Sequence, residues 1–194
     1  MFIDNQERET SMATAIHIAP PITVEQYEGF EGFPGLRDEL IDGEIVLSPQ
    51  PKPWHHQVSE NISVLLNKAL SSQFVAKQNS NIKFREANSM PAPDVFVVSC
   101  ADWRKACESD QYLDKPPVLA VEVISPANRK VRVSQKVDIY LANGVSAVWV
   151  CYPKKRLLRT YQTGKMTEVS EADTVVLPHP LQGEIKVRDM FRLD

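Results

Sequence analysis

Glu122 stands in the run Val118 to Ser125, VLAVEVIS, with Ala120 and Val121 before it and Val123 and Ile124 after it. An ionised carboxylate in the middle of such an apolar strand costs several kcal/mol, about the effective penalty for burying one ion, unless a cation or a metal meets it. Two partners answer that need. One is Lys136, on the helix that follows. The other is a divalent metal shared with a second acid, for which Asp94 in the earlier strand-like run PDVFVVS is the evident choice. The first is a structural ion pair; the second is an arrangement through which a hard cation can activate water.

The rest of the chain must position these three. Val118 to Tyr140 reads as a buried strand, a turn at Ser125-Pro126 and a helix beginning near Val131, ended by Asn143-Gly144. VSAVWVCYP then reads as another strand, which makes a strand-helix-strand crossover. Earlier, Thr23 and Gln26 have the form of a capping box for a short helix through Tyr27. In LRDELIDGEIVLSP, Asp42-Gly43 between apolar runs is a hairpin signal, with Glu44 just past the turn. Pro49, Pro51 and Pro53 lead into HHQVSENISVLLNKALSS, whose Val58, Ile62, Leu65, Leu66, Ala69 and Leu70 recur with helical period. FVAKQ and NIKFRE are expected to pair as a hairpin. Pro91 and Pro93 bar a central ladder position before Asp94, so Asp94 opens the strand through Val98. The segment 101–117 is polar, with a short helix around Trp103. RLLRTYQ and KMTEVS are two further hairpin-like runs. The expected fold is α/β (α+β), a mixed central sheet flanked by helices.

Composition bounds the class. The 194 residues are 43% hydrophobic and 24% charged, enough for one well-filled core, so one domain is expected over 22–194 behind a flexible leader at 1–21. The net charge of −3 argues against a surface that is basic all round but leaves room for a local positive patch. Cys100, Cys107 and Cys151 are an odd number without C-x-x-C spacing, which supports neither a disulfide framework nor a zinc site and fits a reducing cytoplasm. No run of about 18 apolar residues occurs and no signal-peptide core opens the chain, so no membrane association is expected.

Pro93-Asp94, Glu122 within VEVISP, Lys136 and Tyr140 on the next helix, and GVSAVWV together resemble the Uma-two family, a branch of the PD-(D/E)XK nuclease superfamily with a restriction-endonuclease-like core. The resemblance spans roughly 40–191. It implies that the two acids hold magnesium and that the lysine activates water or offsets charge. Ile124 stands where a short E-x-K motif would place lysine. The family pattern moves that lysine to the helix after the Ser-Pro turn, where Lys136 lies, with Tyr140 one turn on. Glu44 matches a family acid near the site, and His55 ends the proline-rich link. Two departures are Arg132, where the family commonly has an acid, and Cys151-Tyr152, in place of Val-Asp before Pro153.

The resemblance implies a metal-dependent endonuclease acting on DNA, with Asp94, Glu122, Lys136 and Glu44 as catalytic residues and Asp94 and Glu122 as metal ligands. Mg2+ is the expected cofactor and Mn2+ a substitute, with a main-chain carbonyl beside Glu122 as a further ligand. Glu44 would join through a water or bind a second metal. His55, Tyr140 and Arg132 are candidates for substrate contact or support. A homodimer is expected, since related nucleases commonly cut two strands with two sites.

Each residue also has a plainer reading. Asp94 and Glu44 are of the type common in turns, His55 and His56 could be exposed or capping, Lys136 a solvated helix lysine and Tyr140 a core-edge aromatic. Arg129, Lys130 and Arg132, and later Lys154, Lys155, Arg156 and Arg159, are either solvated faces or phosphate contacts. The alternative function is a catalytically silent nucleic-acid-binding or assembly protein that keeps the fold and uses Glu122–Lys136 structurally.

Overall fold

The computed structural model describes residues 20–125 and 130–193. Residues 1–19 of the expected leader, Pro126 of the expected turn, and Arg129 and the side chain of Lys130 in the basic run lie outside the described residues.

Thr23 caps the first helix, α1 (Val24–Glu28), through the expected box: its hydroxyl accepts from the Gln26 amide while the Gln26 side chain accepts from the Thr23 amide. Strands β1 (Leu36–Ile41) and β2 (Glu44–Pro49) form an antiparallel hairpin. Its turn residues Asp42 and Gly43 both have positive φ, 51° and 78°, the geometry that Asp-Gly favours. A Cβ on Gly43 would meet the Pro21 side chain at 2.5 Å, so the turn needs glycine for closeness as well as for φ. With Pro53 in its first turn, α2 (Pro53–Ala69) begins where the proline-rich link ends.

The central sheet has six strands in the order β3-β4-β5-β6-β7-β8. They are β3 (Phe74–Gln78), β4 (Val95–Ser99), β5 (Leu119–Val123), β6 (Ala147–Tyr152), β7 (Leu157–Gln162) and β8 (Lys165–Ser170). Only β5 and β6 run parallel. A parallel pair needs a crossover, which α4 (Lys130–Ala142) supplies. Between β4 and β5 lies α3 (Cys100–Ser109), its first turn capped by the Ser99 hydroxyl. A small hairpin of β9 (Thr174–Val176) and β10 (Glu184–Lys186) closes the chain's last part. The expected mixed sheet flanked by helices is the observed fold.

The expected pairing of FVAKQ with NIKFRE does not form. β3 pairs instead with β4, from Phe74 opposite Ser99 to Gln78 opposite Val95. Residues Val95 to Val98 are buried, and such a strand needs a neighbour on both edges; β3 supplies one and β5 the other. The run 81–86 instead bridges Leu113 through Ile82 and turns back at Phe84, which exchanges both backbone hydrogen bonds with Ser89.

Side chains of β5 alternate between two apolar layers, which is why the strand reads as unbroken hydrophobic sequence. Leu119, Val121 and Val123 pack with Val58, Ile62 and Leu66 of α2 and with Trp149. Ala120 packs on the opposite face with Phe96, Val137, Tyr140 and Val148. Glu122 shares that second face by alternation.

The two sides of α2 should respond differently to truncation. Ile62 is fully buried and Val64 is 40% exposed. Urea unfolding of Ile62→Ala should show a loss of about 2–5 kcal/mol, and Val64→Ala a change within about 0.5 kcal/mol.

Candidate active site

Asp94 is the residue before β4, and Glu122 lies in β5, the antiparallel neighbour of β4. The register sets Val95 opposite Val121 and Phe96 opposite Ala120. Continued by one residue, it places Asp94 beside Glu122 on the same face, since Asp94 alternates with Phe96 as Glu122 does with Ala120. A hydrogen bond fixes the approach: Asp94 Oδ2 accepts from the Val123 amide at 2.7 Å. Both acids keep only 5% of their surface exposed.

Lys136 and Tyr140, one turn apart on α4, reach down onto Glu122. The Lys136 ammonium lies 2.8 Å from Glu122 Oε1, and the Tyr140 hydroxyl donates to the same oxygen at 2.8 Å. Lys136 also donates to Glu39 Oε1 at 2.7 Å. That oxygen in turn accepts from the Ala92 amide at 2.6 Å, two residues before Asp94. Arg37 donates to Asp94 Oδ1 at 3.1 Å, and His55 Nε2 lies 3.2 Å from Asp94 Oδ2. Three buried or half-buried carboxylates thus face two cations and an imidazole.

Their ionisation follows from this packing. Burial pushes Glu122 up, Lys136 pulls it down, and Asp94 and Glu39 push it up again, leaving it at about 7. Burial would raise Asp94 too, but His55, Lys136 and Arg37 outweigh it and hold the carboxyl below the usual range. Burial would lower Lys136, but Glu122, Glu39 and Asp94 keep it well above the ordinary lysine value.

Glu39 and Arg37 are the members that the sequence reading missed. Both belong to β1, where Arg37, Glu39 and Ile41 alternate with Asp38 and Leu40. Ile41 packs in the layer of Phe96 and Tyr140, so that face of β1 looks onto the site. The available signal was two charges at i and i+2 leading into a buried isoleucine. Glu44, expected in the site, instead stands on the rim. Its side chain is 71% exposed and lies 3.6 Å from Arg132, which also donates to Gln135. The structure therefore gathers Asp94, Glu122, Lys136, Tyr140 and His55 and leaves Glu44 and Arg132 apart. His55 is buried in the first turn of α2, while His56 is exposed. Among the described residues His55 Nδ1 has no hydrogen-bond partner.

A family model described as "Putative restriction endonuclease", Uma2, matches residues 24–189. The chain belongs to the Uma2 family. Among solved structures, the Uma2 chain is similar to one titled as a putative nuclease belonging to DUF820 from Anabaena variabilis. The two share 18% identity, with 88% of this chain and 98% of that one covered at a TM-score of 0.73. That likeness is one of fold. No curated protein matches the chain.

The donor set suits a hard divalent ion of the kind that nuclease families use. Among the described residues no three His, Cys, Asp or Glu side chains form a ready-made cage. Magnesium asks for less, since it keeps several waters and takes one or two carboxylates. Asp94 and Glu122 meet that requirement, and Arg37 and Lys136 already supply positive charge to the same oxygens.

In metal-free protein the raised Glu122 has a readable sign. The folded state holds a proton on Glu122 that the unfolded chain releases near 4.5, so its contribution to stability is full below about 4.5 and lost as pH rises through about 7. Thermal unfolding in a chelator should therefore show wild type losing ground to Glu122→Gln between pH 5 and pH 8. A difference between the two that is constant across this window would rule the shift out.

Proposed function

We propose that this Uma2 protein is a metal-dependent endonuclease that hydrolyses phosphodiester bonds in DNA. The observation that carries the proposal is the placement of Asp94 beside Glu122 on one sheet face, with Lys136 on the second acid. Asp94 and Glu122 would hold Mg2+, for which Mn2+ can substitute, with a main-chain carbonyl beside Glu122 as a further ligand. When bound, the metal supplies a hydroxide near neutral pH and compensates charge on the phosphorus.

The chain's own residues do the remainder. Lys136, held cationic by two carboxylates, orients the attacking water and meets charge on the phosphate. Glu39, tethered to the Ala92 amide, keeps that ammonium over the site. Tyr140 fixes the carboxylate plane of Glu122, and the Val123 amide and His55 do the same for Asp94. Arg132 and Glu44 form the rim, from which Arg132 can reach a backbone phosphate and Glu44 can act through water. Each chain carries one such site, so a cut through both strands of a duplex calls for a homodimer.

One observation favours a second reading. The Glu122–Lys136 contact is a complete buried ion pair as it stands, which is what a catalytically silent nucleic-acid-binding or assembly protein would retain. Plasmid cleavage with Mg2+ or Mn2+ separates the two. Wild type should cut, Asp94→Ala and Glu122→Ala should each lose at least about 100-fold, and Tyr140→Phe about 10- to 100-fold. Equal cleavage by all four proteins would remove the site assignment, and none by wild type together with no carboxylate-dependent Mg2+ binding would leave the silent reading.

A further inference from the structure

Arg37 has a second surface. Besides donating to Asp94 it lines, together with Ala92, a cleft of about 450 Å³ that opens beside the acids. This volume lies within the roughly 300–1,000 Å³ of small-ligand sites. Its wall carries Phe30 and Tyr112, exposed at 37% and 43%, as well as Asp38, His56 and Asn79. None of these has a role in the chemistry assigned above.

The cleft is polarised. At one end the Arg37 guanidinium sits against Asp94, where a phosphate would meet positive charge. Elsewhere the lining is mainly aromatic, amide and acidic, with His56 among it, a wall that suits a base better than a phosphate: aromatic faces stack, and carboxylate and amide groups pair with base edges. Asp38 gives one oxygen to the Tyr27 hydroxyl, and a carboxylate on the cleft wall is an acceptor for an exocyclic amine. A net charge of −3 points the same way, since binding that rests on many backbone phosphates needs a basic surface.

We propose that this cleft binds the base of one unpaired nucleotide next to the phosphate being cut, with Arg37 passing from Asp94 to that phosphate, so that the substrate is DNA with an unstacked nucleotide at the cleavage point. The inference rests on the nuclease reading and narrows its substrate. A base inside a continuous duplex cannot enter a pocket without leaving its stack, whereas one in a single strand or bulge is already free.

Binding and cutting are measured separately, so that the two readings fail separately. Fluorescence anisotropy in a chelator would compare a single strand, a single-nucleotide bulge and a perfect duplex. Wild type should bind the first two at least about tenfold more tightly than the duplex. Phe30→Ala and Tyr112→Ala should each weaken single-strand binding by roughly 5- to 150-fold, and Phe30→Trp and Tyr112→Phe should restore it. Circular dichroism of the alanine variants checks that they fold. The proposal is overturned if folded alanine variants bind single strands as wild type does, or if wild type prefers the duplex. Absence of Mg2+-dependent cutting with these binding differences intact would overturn the nuclease reading while leaving the cleft's ligand in place.

Discussion

A carboxylate inside an apolar strand has to be answered, and the answer here comes from the crossover helix. Glu122 lies under Lys136 and Tyr140 of α4, so the helix that joins parallel strands β5 and β6 also supplies the acid's cation and its hydroxyl donor. Removing one partner from such a pair generally costs about 3–5 kcal/mol, because the other is left buried and uncompensated. The geometry of the crossover and the ionic balance of the site are therefore one constraint. The hairpin of β1 and β2 closes it: Glu39 takes a second bond from Lys136 and anchors to the Ala92 amide just before Asp94.

Under the proposed function the two cations have a double use. Arg37 and Lys136 neutralise Asp94 and Glu122 as the protein stands, and a divalent ion arriving between those acids would take over that task. Both cations would then be available to a phosphate at the same point. A structural ion pair needs one lysine for one acid; it has no use for a third carboxylate, an arginine on the neighbouring acid and a cleft beside it. That surplus is what the proposed function accounts for and a stabilising pair does not.

Much of this was legible in the chain. Glu122 among aliphatics, Asp94 after two prolines and Lys136 and Tyr140 one helical turn apart point to the residues that meet, because each breaks or obeys a local rule of strand or helix. The Asp-Gly turn and the Thr23 capping box are local as well, and both form as read. What the sequence concealed is long-range. The partner of β3 depends on which strand needs a second edge, so β4 displaced the adjacent run 81–86. Nothing local in the sequence sets Glu39 and Arg37 apart from other hairpin charges; the face of β1 that they share with Ile41 does. Glu44, chosen by resemblance, sits at the exposed end of the same hairpin, five residues beyond the acid that enters the site.

If the proposed function holds, Asp94 and Glu122 share one divalent ion. A crystal structure of the protein soaked in Mn2+, with the ion located by its anomalous signal, decides this. The expected result is a single ion bridging the two carboxylates, with Arg37 drawn off Asp94. An ion bound elsewhere, or none at saturating Mn2+ with the Glu122–Lys136 contact unchanged, would contradict it.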